Sequence, residues 1–540
     1  MQSSFYVLFY GNLIRETVKM STKPIWIEQF ARPAGTEIKH IGNHWYLYER
    51  LSVYDKDRKR KRKKSGRCLG AITESGLSPS KRTAPLQPLR DGEIENLEYG
   101  ATAFLLGLTA SMRGRLAALF PDCWRELLAM ALLKCKEQSR FRRMDFHYGT
   151  SFVSQCLGGL SLSAGRVTAL LHHVGTRRDA IREYMKGDLP SEGLVMFDGH
   201  RLISGSGTLE YARVGYDSKC RFLPQVNLLY MFSVRGLAKL PVYYKQYAGD
   251  VPDVSAFSDI VADAGVRNRA VTVIADKGFE SELNEATLDD ARLGYVLAVR
   301  RGCADIPEIP ASPDRYQKAF KFRGRAIYCN EYQSGKERLF LYYDMSLAND
   351  EAVDFISRRE KANNTIEKKR EAEERRRRRN RARLSQEEYE RLVPVDVAEA
   401  LQAHRDNGTF ILKTNRGELN CVQAYCLYKT RQDIEQAFKS YDDTLDGAAS
   451  YMRDQYSFEA WLFINHLALQ MLYAVIGALA EKELTDRYSF EDVMAFLKHV
   501  RANRIDGEWR LTKITRHTAK LCQKLGIELE EPKKLQVSLK

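Results

Sequence analysis

Apolar residues fall along this chain in two rhythms. Between Gly193 and Val299 they come as short unbroken runs: Leu194–Phe197 leading into Asp198, Val226–Val234, Ala238–Tyr244, Val271–Ala275 leading into Asp276, and Tyr295–Val299. Short continuous runs of this kind are strands covered on both faces, so this part predicts a central sheet with helices packed on it. From Ala101 to about Met185 the rhythm is helical. Pro121-Asp122 predicts the start of a helix filled by Leu127, Leu128, Met130, Ala131 and Leu132. An apolar segment near Phe152, the Gly158-Gly159 break and the Ser161–Ser163 lead into Val167–Val174 outline a helix-turn-helix, a shape shared by DNA readers and plain packing units.

After Arg301 the pattern changes. Phe320–Cys329, Arg338–Tyr343 and Gly408–Lys413 are strand-like, and they enclose Ile366–Arg383, nearly all charged, which predicts a projecting solvated helix. From Asn420 the helical rhythm returns through Lys429–Tyr441 and Phe458–Ala480. Phe490–Val500 and Leu511–Leu525 predict basic amphipathic helices. The first ninety residues hold two strand candidates, Tyr46–Tyr48 and Leu51–Tyr54, then the basic run Lys56–Lys64, read as an arm along a phosphate backbone or as a solvated hairpin tip. Met20 precedes what reads as the start of a domain, so the first nineteen residues are expected to be an upstream extension that N-terminal sequencing would reveal.

The expected organisation is a strand-rich segment with a basic linker over 1–92, and a helical DNA-binding domain over 93–190. A core then follows in two parts, 191–300 and 420–484, separated by an insertion at 301–419, with a helical C-terminal region over 485–540.

Composition sharpens the picture. Lys and Arg total 85 against 70 acids, a formal charge of +15, which suits a polyanionic partner. The apolar share of 44% is enough to build cores, which excludes a disordered chain. The 10 cysteines form no C-x-x-C pair and are expected to be reduced, mostly buried thiols of an intracellular protein. No secretory signal is evident. Ala460–Ala480 is long enough to span a membrane but carries Asn465, His466 and Gln470, so it is expected to be a buried core helix, with no membrane partner. Neither G-x-x-x-x-G-K-[ST] nor G-x-G-x-x-G occurs, which sets nucleotide-binding enzymes aside.

Three acids carry the candidate chemistry. Asp198 and Asp276 each follow an apolar strand and are each followed within two residues by glycine, Gly199 and Gly278. Carboxylates on adjacent strands converge at one rim of a sheet, and glycine permits a sharp turn there. Two such acids and a third can hold two Mg²⁺ or Mn²⁺ ions about 3.5–4 Å apart for in-line attack on a phosphodiester. Phe279 reads as a core anchor beside Asp276. The third acid is Glu435: Tyr428, Arg431 and Glu435 stand at i, i+3 and i+7 and share one helical face. An ordinary Arg431–Glu435 ion pair has the same spacing.

Together these segments resemble the DDE transposases of bacterial insertion sequences, of the insertion-sequence-four superfamily and its longer relatives. Asp276-Lys277-Gly278-Phe279 resembles the family's D-x-G-F, and Tyr428, Arg431 and Glu435 resemble its Tyr-x2-Arg-x3-Glu helix. Leu240-Pro241-Val242, Gly249-Asp250 with Asp253, and Gly408–Phe410 with Thr414-Asn415 resemble the segments between. The likeness covers roughly Gly193 to Ala480.

It implies an α/β, RNase H-like mixed-sheet core interrupted by a β-rich insertion. It also implies metal-dependent cleavage at the ends of an element, followed by strand transfer into target DNA. Asp198, Asp276 and Glu435 would ligate two Mg²⁺ or Mn²⁺ ions, and Tyr428, Arg431 and Lys277 would meet DNA. The family's Lys falls seven residues after the Glu, where this chain has Asp442; Lys439 stands in for it. The five tryptophans all lie outside 301–415, which leaves Tyr328 or Phe322 to stack a base if a hairpin intermediate forms. His200, where relatives carry Thr, is expected to orient a neighbour. The implied partners are terminal repeats, target DNA and a second copy of the chain, in a bacterial cytoplasm at the nucleoid. The alternatives are a nuclease of the same fold and a transposase-derived DNA-binding protein without catalysis.

Overall fold

The computed structural model describes residues 23–55, 60–79, 94–138, 140–215, 223–236, 238–301, 309–310, 312–380, 396, 406–431, 449–505, 507–529, 531–533 and 535. Contacts divide the chain into two units, Met1–Glu95 and Asn96–Lys540.

In the first unit a short helix, α1 (Ile25–Glu28), precedes four strands, β1 (Thr36–Ile41), β2 (His44–Asp55), β3 (Arg60–Thr73) and β4 (Gly76–Pro79), paired in sequence order. Ile27, Leu47 and Ile72 form a small core lined by Trp26, Phe30, Ile38, Trp45 and Leu69. The two strand candidates of the sequence are one continuous strand. Much of the basic run, Arg60–Lys64, lies in β3 rather than in a linker, because it pairs residue by residue with Leu51–Asp55.

β5 (Ile94–Glu98) straddles the boundary, and the second unit continues with seven helices: α2 (Gly100–Leu108), α3 (Ala110–Leu119), α4 (Trp124–Glu137), α5 (Met144–Gly149), α6 (Val153–Cys156), α7 (Ala164–Gly175) and α8 (Arg178–Lys186). The helix expected at Pro121-Asp122 starts instead at Trp124, after a turn at 121–123. Glu98 ties these helices together. Its carboxylate accepts from the Ala101 amide at 2.8 Å, from the Thr102 hydroxyl at 2.7 Å and from the buried Lys136 ammonium. Lys136 also donates to Ser151 Oγ at 2.6 Å, so a charge that burial would make costly is fully enclosed by partners. In the helix-turn-helix outline the first helix is a single turn, α6. α7 buries Val167, Leu171 and Val174, and Gly175 abuts the Tyr456 backbone so closely that a Cβ there would lie 1.9 Å from the Tyr456 oxygen.

An 11-stranded sheet follows. It contains β6 (Glu192–Ser204), β7 (Arg213–Val214), β8 (Pro224–Arg235), β9 (Ala238–Ala248), β10 (Ala270–Ala275), β11 (Gly294–Val299), β12 (Lys318–Phe322), β13 (Arg325–Ser334), β14 (Glu337–Asp344), β15 (Thr409–Thr414) and β16 (Ala449–Ser450). β6 runs parallel to β10, and β10 to β11, while β8 runs antiparallel to both β6 and β9. α9 (Asp253–Ala264) and α10 (Glu282–Asp290) connect these strands. The stretch expected as an insertion is continuous with the sheet: β15 pairs with β11 on one side and with β14 on the other, and β13 and β12 follow. The charged run, from Ile366 to Asn380, belongs to α11 (Met345–Asn380), a helix of 36 residues, and its last three residues lie outside the described residues.

After α12 (Cys421–Lys429), the long helix α13 (Gln455–Glu481) runs buried beneath the sheet. It is, among the described residues, the one helix apolar and long enough to cross a membrane, and 83% of its most apolar window is buried inside the protein. Two of its polar residues have internal partners: Asn465 donates to the Trp461 carbonyl, and Gln470 donates to Asp188 and to the Pro241 carbonyl, whereas neither ring nitrogen of His466 has a hydrogen-bond partner among the described residues. The C-terminal stretch is not all helical. α14 (Phe490–Lys498) is followed by a hairpin of β17 (Arg501–Ile505) and β18 (Glu508–Leu511), then α15 (Arg516–Leu525), and β17 pairs with β5. Gly507 at φ +82° makes the hairpin turn that helical periodicity concealed. The eight described cysteines are all free thiols, six of them buried.

Candidate active site

The parallel register of β6 and β10 pairs Met196 with Ile274. Two residues further along each strand stand Asp198 and Asp276, neighbours at one rim. Asp276 closes β10 as expected. Asp198 does not close its strand: β6 continues to Ser204, because Gly199–Ile203 go on pairing with β8. Gly199 therefore makes no turn. Its role is clearance, since a Cβ there would lie 2.7 Å from Asp253 Oδ2. Asp253 opens α9, pairs with Arg201 at 3.6 Å, and has its carboxyl pushed up by burial with a partial offset from Arg201.

Asp276 begins a tight turn, Lys277–Phe279, and accepts from the Lys277 amide at 2.8 Å. Phe279 is buried against Phe257 and anchors this turn, leaving Lys277 exposed beside Asp276. Ser281 then caps α10 by accepting from the Asn284 amide.

The third element is the end of α12. Asn420 and Gln423 form a reciprocal cap at its start. The helix ends at Lys429, where the Thr430 hydroxyl donates to the Leu427 carbonyl and the Arg431 amide to that of Tyr428. Arg431 thus lies in a turn just past Lys429, and the expected continuation of the helical face to Glu435 lies outside the described residues. The Tyr428 hydroxyl donates to Asp276 Oδ1 at 3.1 Å, and burial with the Asp276 charge holds its phenol above its ordinary range. Arg431 reaches both acids, Nη1 at 3.6 Å from Asp198 Oδ1 and Nη2 at 3.4 Å from Asp276 Oδ2. Its side chain is 10% exposed. Four sequence candidates, Asp198, Asp276, Tyr428 and Arg431, therefore meet at one point. Glu435, Lys439 and Asp442 lie outside the described residues.

His200 follows Asp198 by two positions, on the same face of β6, and is buried. Nothing in the residue pattern pointed to Tyr473: from α13, its phenol is held high by burial and by the Asp198 charge. Tyr328 and Phe322 are engaged within the protein, Tyr328 in a cluster with Tyr316 and Tyr343, and Phe322 edge-on to Tyr425.

Two carboxylates close enough to share one cation form an oxygen-only donor set, the kind that hard divalent ions take. A different donor cluster, Asp122, Cys123 and His173, is organised otherwise. Arg177 already neutralises Asp122 at 2.7 Å, and burial pushes the Cys123 thiol up to about 12.

The family described as transposase DDE domain matches residues 193–471, just over half of the chain, a range that includes Asp198, Asp276, Tyr428 and Arg431. The chain belongs to this family, a class of enzymes that act on and cleave DNA. No curated protein matches it.

Proposed function

We propose that this protein is a transposase of the insertion-sequence-four superfamily. It cuts DNA at the ends of a bacterial insertion sequence and joins them to target DNA, working as a homodimer at the nucleoid. The observation that carries this reading is the carboxylate pair, Asp198 and Asp276, on neighbouring parallel strands and sharing one guanidinium. The strand order β9-β8-β6-β10-β11, with only β8 reversed, supports an RNase H-like core.

In this reading Asp198, Asp276 and Glu435 hold two Mg²⁺ or Mn²⁺ ions. The bridged pair fits that role, because one cation already touches both carboxylates. When bound, the ions supply an activated water and charge neutralisation at the phosphate. Tyr428 fixes the orientation of Asp276 through its hydroxyl. Arg431 meets the DNA backbone once its acids have another cation, and Lys277 and Lys439 are further DNA contacts in this reading. The helical region 93–190 would carry end recognition.

The test incubates purified protein with a labelled duplex bearing the terminal repeats and Mg²⁺ or Mn²⁺, alongside Asp276→Asn and Glu435→Ala. Metal-dependent cleavage at the repeat boundary that both variants lose is the expected result. Binding without cleavage by wild type would replace this reading with a non-catalytic DNA-binding protein. Cleavage without joining would make it a nuclease.

A further inference from the structure

β1 pairs with β2 only from His44 to Glu49, and β4 pairs with β3 only from Gly70 to Thr73. Beyond them, Arg50–Asp55 pairs with Arg60–Ser65 as a bare two-stranded ribbon, with no further strand on either edge among the described residues. Cross-strand partners share a face, so the pairs Arg50–Ser65 and Ser52–Lys63 mark one face, and Leu51–Lys64 marks the other. Arg50, Arg60, Lys61, Lys63, Lys64 and Arg67 are all exposed. Asp55 is the only acid in Arg50–Asp55 and Arg60–Arg67. Both faces are therefore cationic.

Leu51 and Val53 are 47% and 48% exposed among these cations. A ribbon meant only for solvent has no use for two exposed branched apolar side chains beside its lysines. Apolar side chains interleaved with cations suit a surface that is polyanionic at its rim and apolar within, which is a DNA groove: phosphates outside, base edges and thymine methyls inside. The size agrees. Strands about 4.8 Å apart make a ribbon that a major groove about 12 Å wide admits.

We infer that the β2–β3 ribbon of the N-terminal unit is a second DNA-binding element, separate from the carboxylate site, that enters the major groove of duplex DNA. This rests on the proposed function only in taking DNA as the partner. Arg60, Lys61, Lys63 and Lys64 meet phosphates, and Leu51 and Val53 meet the groove floor.

The test measures binding of the full-length protein to a labelled duplex of arbitrary sequence by fluorescence anisotropy, in EDTA, across a salt titration. Arg60, Lys61, Lys63 and Lys64 are changed together to Gln in one variant, and Leu51 and Val53 together to Ser in another. Circular dichroism checks that both remain folded. The glutamine variant is expected to lower the slope of log affinity against log salt by roughly 2–4, at about 0.9 for each phosphate that is no longer neutralised. The serine variant is expected to weaken binding at unchanged slope. An unchanged slope in the glutamine variant would make the ribbon a solvated tip and overturn the inference. A weakening seen with a single-stranded oligonucleotide but not with the duplex would overturn the groove assignment. Because no metal is present, neither result depends on whether the protein cuts DNA.

Discussion

The guanidinium of Arg431 lies 3.4 Å from the Asp276 carboxylate, and the same group lies 3.6 Å from Asp198. An arginine here serves as an internal counter-ion, holding together two like charges that would otherwise repel across the rim.

Removing it should therefore cost stability, but only where no other cation is present. Arg431→Gln is expected to unfold about 1–3 kcal/mol more easily than wild type in EDTA. That is less than a fully buried pair would lose, because the Asp276 side chain is 33% exposed. Millimolar Mn²⁺ should return most of the difference. Urea unfolding in both conditions reads it, and equal stability in EDTA would refute the counter-ion role.

His466 makes a pH prediction. Fully buried between Tyr230 and Tyr244, its imidazole is pushed down to about 3 by desolvation, with a smaller contribution from Arg115. The unfolded chain takes up this proton near pH 6.5, the folded chain only near 3, so the group costs stability progressively as pH falls through that window. Between pH 7.5 and pH 5 the loss from this residue is about 2 kcal/mol. His466→Gln should flatten the stability profile by that amount; parallel profiles for the two proteins would count against it.

Two glycines of α7 separate packing from propensity. At Gly175 a new Cβ meets the Tyr456 backbone at 1.9 Å, whereas at Gly165 it meets nothing within 4 Å. Gly175→Ala is expected to destabilise by about 2–4 kcal/mol. Gly165→Ala should be neutral or stabilise by up to about 1 kcal/mol. Thermal melting of both variants distinguishes a helix welded to the core from one held loosely on its surface.

The Glu98–Lys136 pair should behave as a unit. Lys136→Met leaves a buried carboxylate without its cation and is expected to cost about 3–5 kcal/mol. Adding Glu98→Gln to that variant should recover a large part, since the side-chain amide can still accept from the Ala101 N–H and carries no charge. A double variant no better than the single one would show that the hydrogen bonds to Thr102 and Ser151, not the charge, carry the node.

The sheet strands around the site were legible because a strand buried on both faces has to be a continuous apolar run. Leu194–Phe197, Val226–Val234, Ala238–Tyr244, Val271–Ala275 and Tyr295–Val299 all lie within strands of the structure. What lay hidden was pairing. The tail of β6, Gly199–Ser204, reads Gly-His-Arg-Leu-Ile-Ser, neither a continuous apolar run nor an alternation, and so does not announce itself as a strand, yet its residues up to Ile203 pair with β8. The strands after Arg301 differ in composition from the core because their sheet is less covered, and composition carries no information about which edge they join. Spacing alone puts Arg431 on a helical face. The stop at Lys429 comes from the Thr430 hydroxyl turning back on the Leu427 carbonyl, a local interaction that periodicity does not encode. Asp253 beneath Gly199 and Tyr473 near Asp198 come from elements distant in sequence, and only the fold brings them there.

Arg338 of β14 donates to the carbonyls of Gly417 and Leu419, and Asn415 and Arg416 are tied to Leu293 and Thr272. The six residues between β15 and α12 are thus clamped at several points, with no slack. Through these bonds the outer hairpin β13–β14 is fastened to the segment that leads into α12, the helix that ends beside Arg431 and the two aspartates.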